Sequence, residues 1–502
     1  MKMKYQGRLL AALLAFNMLL TISCGTQTSS DGNSEGDSAQ MTESTASEAK
    51  VEYEKPDVDY GGKTVPYITH QWSSSWVINS YNLNSSEENG DNINDAIFKR
   101  NRAVEDSLKV KLELIPVVTS GSKKGSSEDM QKHILADDES FYFAMALSNI
   151  LPPLLTTEGM LADLRTIPNI DLSHSWWNQT ANDEYTINGK QQAAVGDICF
   201  FNNGAPVVVY FSRDLIENNK MDDPYELVES GKWTVEKMLK MAADTANDLN
   251  GNDIIDVKDQ FGLAAEPDSL GYILECAGDR FTNRDNKGNI TITVNNEKTA
   301  KLCELFINAT NDPRTVILAT TVEKVLNTSF SSNFTEFFVP KMMSNELLFF
   351  TNQLHVALNL RAMETDFGIL PMPKYDESQE KYYAIGNAAF SDCLVIPGNC
   401  ADPELAGNVI EAMGYYSQQY ITPAFIDTTV MNKVVRDENS AEIVNMVLKN
   451  RVFDIGFMFD WGKVKSIFTT MVNSSDPNFA SNYASIENNI KAELEKTLEM
   501  MK

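Results

Sequence analysis

INDAIFKRNRAVEDSLKVKLEL, residues 93–114, changes its period partway along. Ile93, Ala96, Ile97, Arg100, Val104 and Leu108 recur at helical spacing, so one face of a helix turns toward a core. Val110, Leu112 and Leu114 then alternate, which puts every second side chain on one face of a strand. Upstream, Val65, Tyr67 and Ile68 within Thr64–Thr69 form a short first strand, followed by a long polar loop from His70 to about Asp91. Downstream, Ser126-x-x-Asp129 marks a helix start ahead of Met130, Ile134 and Leu135, and Phe141–Leu147 is a third apolar strand. This alternation predicts an α/β fold with a mostly parallel sheet covered on both faces. Open sheets of that kind bind ligands beyond the carboxyl ends of their strands. The loop after the first strand is therefore a candidate site, and it carries Trp72 and Trp76.

The rest of the chain repeats the theme. Val207–Phe211 is a run of β-formers predicted to start the central strand of a second lobe. Trp233-Thr234 caps a helix through Met238, Met241 and Ala242, which assigns Trp233 to the core. Ile290, Ile292 and Val294 alternate as a strand, and Phe367–Pro373 is a strand ending in Pro-x-Pro. Pro403-Glu404-Leu405 opens a helix through Val409, Ile410 and Met413, and Ile486–Met501 forms an amphipathic helix. No fixed-period repeat is present.

The amino end sets the expected compartment. Lys2, Lys4 and Arg8 precede an apolar run from Leu9 to Leu20, too short for the roughly 20 residues of a membrane span. This pattern is that of a secretory signal peptide, residues 1–24, and Thr21-Ile22-Ser23-Cys24-Gly25 resembles a lipoprotein cleavage box with Cys24 as the acylated residue. Thr21 stands where such boxes usually carry Leu. A lipidated Cys24 implies anchoring at the outer face of the membrane. Residues 25–59 are acidic and Ser-rich at first, with little to bury, and read as a disordered tether. The remaining length suits two lobes. A net charge of −28 leaves no basic footprint for nucleic acid. Beyond Cys24 there are five scattered cysteines, Cys199, Cys276, Cys303, Cys393 and Cys400, which read as buried thiols more than as a disulfide framework, with only Cys393 and Cys400 close enough for a local bridge.

Three phrases carry a family resemblance. They are Asn94-Asp-Ala-Ile-Phe-Lys-Arg-Asn101, Asp223-Pro-Tyr-Glu-Leu-Val228 leading into Gly231-Lys-Trp-Thr234, and Asp366-Phe-Gly-Ile-Leu-Pro-Met-Pro-Lys-Tyr375. From about Tyr60 to Lys502 the chain resembles the family 1 extracellular solute-binding proteins, the group that includes maltose-binding protein. The resemblance implies a type II periplasmic-binding-protein-like fold, two hinge-linked α/β lobes closing over a cleft. It places one lobe at 60–198 plus 385–440 and the other at 207–378 plus 445–502, with crossings near 200–206, 382–390 and 440. It implies a monomeric lipoprotein of an ABC importer that hands a small ligand, expected to be an oligosaccharide, to permease subunits. A ligand-presenting partner of a membrane sensor kinase, or a peptide or polyamine binder, would use the same lobes.

Sugars present apolar faces and many hydroxyls, so a site wants aromatic platforms beside amides and carboxylates. The candidates are Trp72, Trp76, Trp177, Asn203, Asp279, Asn387 and Trp461, with Trp176, Asn202 and Asp460 beside them. Trp176 and Trp177 cannot both face a cleft from one strand. A second motif is Asp248-Leu-Asn250-Gly-Asn252-Asp-Ile254-Ile-Asp256-Val-Lys-Asp259, with oxygen side chains at positions 1, 3, 5, 9 and 12 and the Ile254 carbonyl at position 7. That is the ligand order of an EF-hand calcium loop, except for Asp253 at the usual Gly and Asp259 at the usual Glu. Calcium here would be structural, and an acidic turn without metal is the alternative. No cofactor is required. The four histidines are isolated, and no H-E-x-x-H, G-x-S-x-G, C-x-x-C or phosphate-binding glycine loop occurs, so no enzyme is expected.

Overall fold

The computed structural model describes residues 53–72, 85–119, 125–326, 337–360, 366–386, 391–426 and 438–502. Two principal sheets organise it. The first has the order β12-β3-β1-β2, where β1 is Lys63–Trp72, β2 Val110–Thr119, β3 Phe143–Leu147 and β12 Asp392–Val395. β1 runs parallel to β2 and β3, and β12 is antiparallel to β3. The helix Asn92–Leu108 connects β1 to β2. Asp91 starts that helix, its carboxylate accepting from the Ile93 and Asn94 N–H groups at 3.0 Å. Both strands run past the short forms expected. Pro116, which cannot donate to a ladder, is tolerated because β2 is an edge strand.

The second sheet has the order β10-β4-β9-β5-β8. Here β4 is Val207–Ser212, β5 Phe261–Ala265, β8 Val316–Leu318, β9 Leu347–Gln353 and β10 Phe367–Pro371. β9 pairs parallel with β5 and antiparallel with β4, so the sheet is mixed. The centre belongs to β9 rather than to β4, a correction to the expected order. Every residue of both strands is buried, and a fully buried run carries no alternation to rank one above the other. The expected strand at Ile290–Val294 is instead β7, Ile290–Ile292, paired only with β6, Thr282–Arg284, in a separate hairpin. Trp233 is fully buried and donates its indole N–H to the Pro371 carbonyl at 2.9 Å. The Thr234 hydroxyl beside it accepts from Lys237 N–H at 3.2 Å and caps the helix Val235–Thr245.

The two lobes are tied where the chain crosses between them. Residues 197–206 lead from the first lobe into β4, and Pro206 bridges Gly386 just past β11, Ala384–Ile385. β11 pairs parallel with β13, Arg451–Val452. The helix Glu438–Lys449 belongs to the second lobe, because Ser440 accepts from the Ile369 N–H of β10 and meets the Tyr225 hydroxyl at 2.7 Å. All five described cysteines are free thiols, four of them buried and Cys400 half-buried.

Candidate functional site

The functional end of each sheet is the carboxyl end of its parallel strands. In the first lobe β3 ends at Leu147, and Ser148 N–H donates to the Ser391 carbonyl at 2.8 Å. This contact sets Asn149 beside the start of β12. The crossing segment joins the same corner. Asn202 Nδ2 donates to the Asp392 carbonyl at 2.8 Å, while its Oδ1 accepts from Asp392 N–H at 2.7 Å. Asn203 Oδ1 accepts from Arg451 Nη1 at 3.0 Å, joining the crossing to β13. Nearby, burial pushes the Asp197 carboxyl up to about 6, opposed by the Arg451 charge and by hydrogen bonds from Thr422 and Gln418.

Among the described residues, Asn149 Oδ1, Asn203 Nδ2 and Ser391 Oγ at this corner are solvent-inaccessible and have no hydrogen-bond partner. A fourth lies in the second lobe. Glu266 follows β5 directly, and its Oε2 is likewise solvent-inaccessible and unpartnered. Burial, with the neighbouring acids Asp268 and Glu323, pushes the Glu266 carboxyl up to about 8. Native proteins leave few such groups unsatisfied, and a cost of about 1–3 kcal/mol each calls for a reason. These four lie at strand ends or in the crossing, whereas other such atoms, among them Arg100 Nη2, Trp176 Nε1 and Glu275 Oε1, lie elsewhere in the fold. By contrast, a depression of about 680 Å³ lies at the opposite end of the first sheet, along Gly61, Gly62, Phe98, Lys109 and Lys111. It is open and holds none of these unpartnered atoms.

Several residues expected in the site sit elsewhere. Trp177 is buried, and its indole N–H donates to Glu411 Oε1 at 2.9 Å; Glu411 also meets His174 Nδ1 at 2.8 Å. Trp176 is buried as well, edge-on to Tyr53 and Tyr415. Trp461 is only 2% exposed. Its ring stacks on Phe459, and its N–H donates to Thr497 Oγ1 at 2.9 Å on the helix Phe479–Met500. Neither Trp177 nor Trp461 has a free face to stack on a sugar, so both are corrected to core residues. Asp279 is also engaged: it accepts from Asn296 Nδ2 at 2.9 Å and from the Thr299 hydroxyl, locking the start of the helix Glu297–Ala309. Asp460 accepts from Lys465 N–H at 2.7 Å and Ser466 N–H at 3.0 Å. Trp72 closes β1 opposite Thr119, at the carboxyl end of an inner strand. Trp76 and Asn387 lie outside the described residues. Of the expected polar groups of the ligand site that lie among the described residues, only Asn203 coincides with an unpartnered atom.

Residues 248–259 do form one tight loop. Asp253 takes φ +58°, the left-handed conformation that glycine usually supplies at this position. Asp248 accepts from the Gly251 and Asp253 N–H groups at 2.8 and 2.7 Å. Asn250 and Asn252 point their Nδ2 atoms at Asp256, and Asn252 Oδ1 accepts from Ile254 N–H at 2.8 Å. Arg314 enters from outside the loop. Its guanidinium lies 3.0 Å from Asp259 Oδ2 and 3.5 Å from Asp248 Oδ2, and donates to the Ile254 carbonyl at 3.3 Å. Half of the expected calcium ligands are thus met by a cation of the chain itself. Asp259 is fully buried, and its Oδ1 remains without a partner. Among the described residues, no three His, Cys, Asp or Glu side chains converge as a metal set.

The fold so described is the two-lobed solute-binding fold, and solved structures share it. Structurally similar chains include the ABC substrate-binding protein Lmo0181 from Listeria monocytogenes in complex with cycloalternan, at TM-score 0.54 and 12% identity over 86% of this chain and 99% of that one. The GacH receptor of Streptomyces glaucescens, described unliganded and with acarbose, matches at 0.53 and 12% over 87% and 100%. Maltose-binding protein MalE from Listeria monocytogenes, with maltose, matches at 0.53 and 14% over 86% and 98%. No protein-family model matches the sequence, and no curated protein matches it.

Proposed function

We propose that this protein is a solute-binding protein that captures an oligosaccharide by lobe closure, without catalysis. The observation that carries the reading is the set of unpartnered buried polar atoms at the strand ends and the crossing, Asn149 Oδ1, Asn203 Nδ2, Ser391 Oγ and Glu266 Oε2. A polyhydroxylated ligand donates to the carboxylate and amide oxygens and accepts from the amide N–H, satisfying both sheets at once. A ligand that bridges two lobes binds the closed arrangement better and draws the equilibrium toward it. The substrate-binding proteins with this fold bind cycloalternan, acarbose and maltose, which supports a sugar over a peptide or polyamine. The signal-like start and Cys24 support export and lipid anchoring at the outer face of the membrane, where an ABC permease would be the partner.

The test is melting of the protein lacking residues 1–50 against mono- and oligosaccharides. A ligand at 100 times its Kd stabilises by ~2.7 kcal/mol, a visible rise in Tm. Silence across linear and cyclic α-glucans, mannans and amino-substituted oligosaccharides would sink the sugar reading. A structural calcium at Asp248, Asn250, Asn252, Ile254, Asp256 and Asp259 is a separate proposal, supported by the left-handed Asp253 and the orphaned Asp259 Oδ1. It requires Arg314 to swing away from three of these ligands.

A further inference from the structure

The lobes touch at a place that the ligand site does not use. The helix Gln179–Glu184 packs in the first lobe, where Asn182 Oδ1 accepts from Val195 N–H at 3.0 Å. It is followed by a tight turn, with Asn188 at φ +50° and Gly189 at φ +79°. Arg284 reaches this segment from β6 of the second lobe. Its Nη1 donates to the Thr186 carbonyl at 2.6 Å, Nη2 donates to the Glu184 carbonyl, and Nε lies 3.6 Å from Glu184 Oε2. Glu184 Oε1 in turn accepts from Ile455 N–H at 3.3 Å, at the start of the second-lobe helix Ile455–Phe459. The same turn meets the end of the second-lobe helix Phe479–Met500. Asn188 Nδ2 donates to the Leu498 carbonyl at 3.1 Å, and Lys190 Nζ donates to the Lys502 carbonyl at 3.0 Å. Met501 is buried there and helps line a small cavity with Leu155, Leu161 and Lys190.

We propose that Arg284, Glu184 and the 186–190 turn form a tie between the lobes that sets the open–closed balance, and through it ligand affinity, without touching the ligand. Arg284 and Glu184 are both largely covered, at 17% and 22% side-chain exposure, so water screens their attraction less than at an open surface. Two backbone carbonyls accept from a single guanidinium, with the carboxylate 3.6 Å from an Nε that has no hydrogen bond of its own among the described residues, so the two carbonyl bonds fix its position where a lone surface ion pair would not. A hinge rotation moves the two lobes relative to each other, and contacts this short cannot all survive it. The tie therefore has different energies in the two arrangements, which is the requirement for shifting a population. In the arrangement that the tie holds, Glu266 Oε2 and Asn149 Oδ1 are both inaccessible to solvent. Arg284 and Glu184 are positioning residues in this sense, and their effect on affinity rests on the binding function proposed above.

The experiment compares the wild type with Arg284→Ala, and with Glu184→Gln as the variant that keeps the shape of the side chain. Small-angle scattering and amide exchange of the segment 455–459 are measured first on ligand-free protein. Both variants are expected to show a larger radius of gyration and faster exchange at Ile455, with Arg284→Lys restoring part of each. A sugar found by the melting panel is expected to bind Arg284→Ala ~5- to 100-fold more weakly, the range of ordinary coupling between sites. Unchanged scattering and exchange in both variants overturns the tie. Absence of sugar binding in the wild type would instead defeat the binding function, and the ligand-free measurements would still judge the tie on their own.

Discussion

Replacing Glu266 by Gln is expected to make the protein more stable, and more so as pH rises. The carboxyl sits at the end of β5, with Oε2 inaccessible to solvent and unpartnered, and with Asp268 and Glu323 adding like charge. Its ordinary value of 4.5 is pushed up to about 8. The sign follows from proton linkage: between these values the folded chain holds a proton that the unfolded chain has released. Stability therefore falls as pH climbs through this window, and the penalty is complete above about 8. At ~1.4 kcal/mol per pH unit the interval bounds the penalty at ~5 kcal/mol, and ~3–5 kcal/mol is the working range. For a folded chain of this length that corresponds to ~3–5 °C in Tm at pH 8.5. Calorimetric melting from pH 4.5 to 9 reads it directly: the gap between Glu266→Gln and wild type should open with pH and be small at pH 4.5. Two parallel curves would refute the claim that this carboxyl is buried against its charge. The cost has a functional counterpart, since ligand hydroxyls that donate to Glu266 favour its ionised form. Binding at pH 7 should then release protons, which titration calorimetry in buffers of different ionisation enthalpy detects.

Trp461→Phe removes the bond to Thr497 and some packed volume, and should cost ~1–3 kcal/mol in denaturant melts. Because Trp461 is core, sugar affinity should stay within about twofold; a large loss of affinity would return this residue to the binding site. Arg314→Ala leaves Asp248 and fully buried Asp259 without a counter-charge, and should destabilise by ~2–4 kcal/mol in chelator. Millimolar calcium should recover most of that loss, and a Tm that ignores calcium in both proteins retires the metal proposal.

The local elements were legible because their signals are local. The period change in residues 93–114 located the helix Asn92–Leu108 and the start of β2, the apolar run in 64–69 located most of β1, and Thr234 and Pro403 marked real helix starts. Trp233 was assigned correctly because a cap and a strand end fixed its surroundings. The tryptophans at 177 and 461 misled because ring chemistry is the same in a core and on a sugar platform. What separates the two uses is the partner of the indole N–H, here Glu411 and Thr497, 234 and 36 residues away. Glu266 had a faint signal in Ala265-Glu-Pro-Asp268, an acid wedged between an apolar strand and a helix start. Asn149 and Ser391 had none, since an isolated Asn or Ser between apolar runs reads as a turn residue.

By itself, the sequence determined that the chain alternates strands and helices, carries enough apolar residues for two lobes, and has a strongly acidic balance, with a net charge of −28. Those are matters of period and composition, carried by neighbours within one turn or one pleat. Only the tertiary structure decided that β9 is the centre of the second sheet, which tryptophans are core, and that Asn149, Asn203, Ser391 and Glu266 are among the residues with an unpartnered buried polar atom. It also brought Arg284 to Glu184, 100 residues apart in the chain. Satisfaction of a buried polar atom is a property of everything packed around it, so it exists only once distant segments have met.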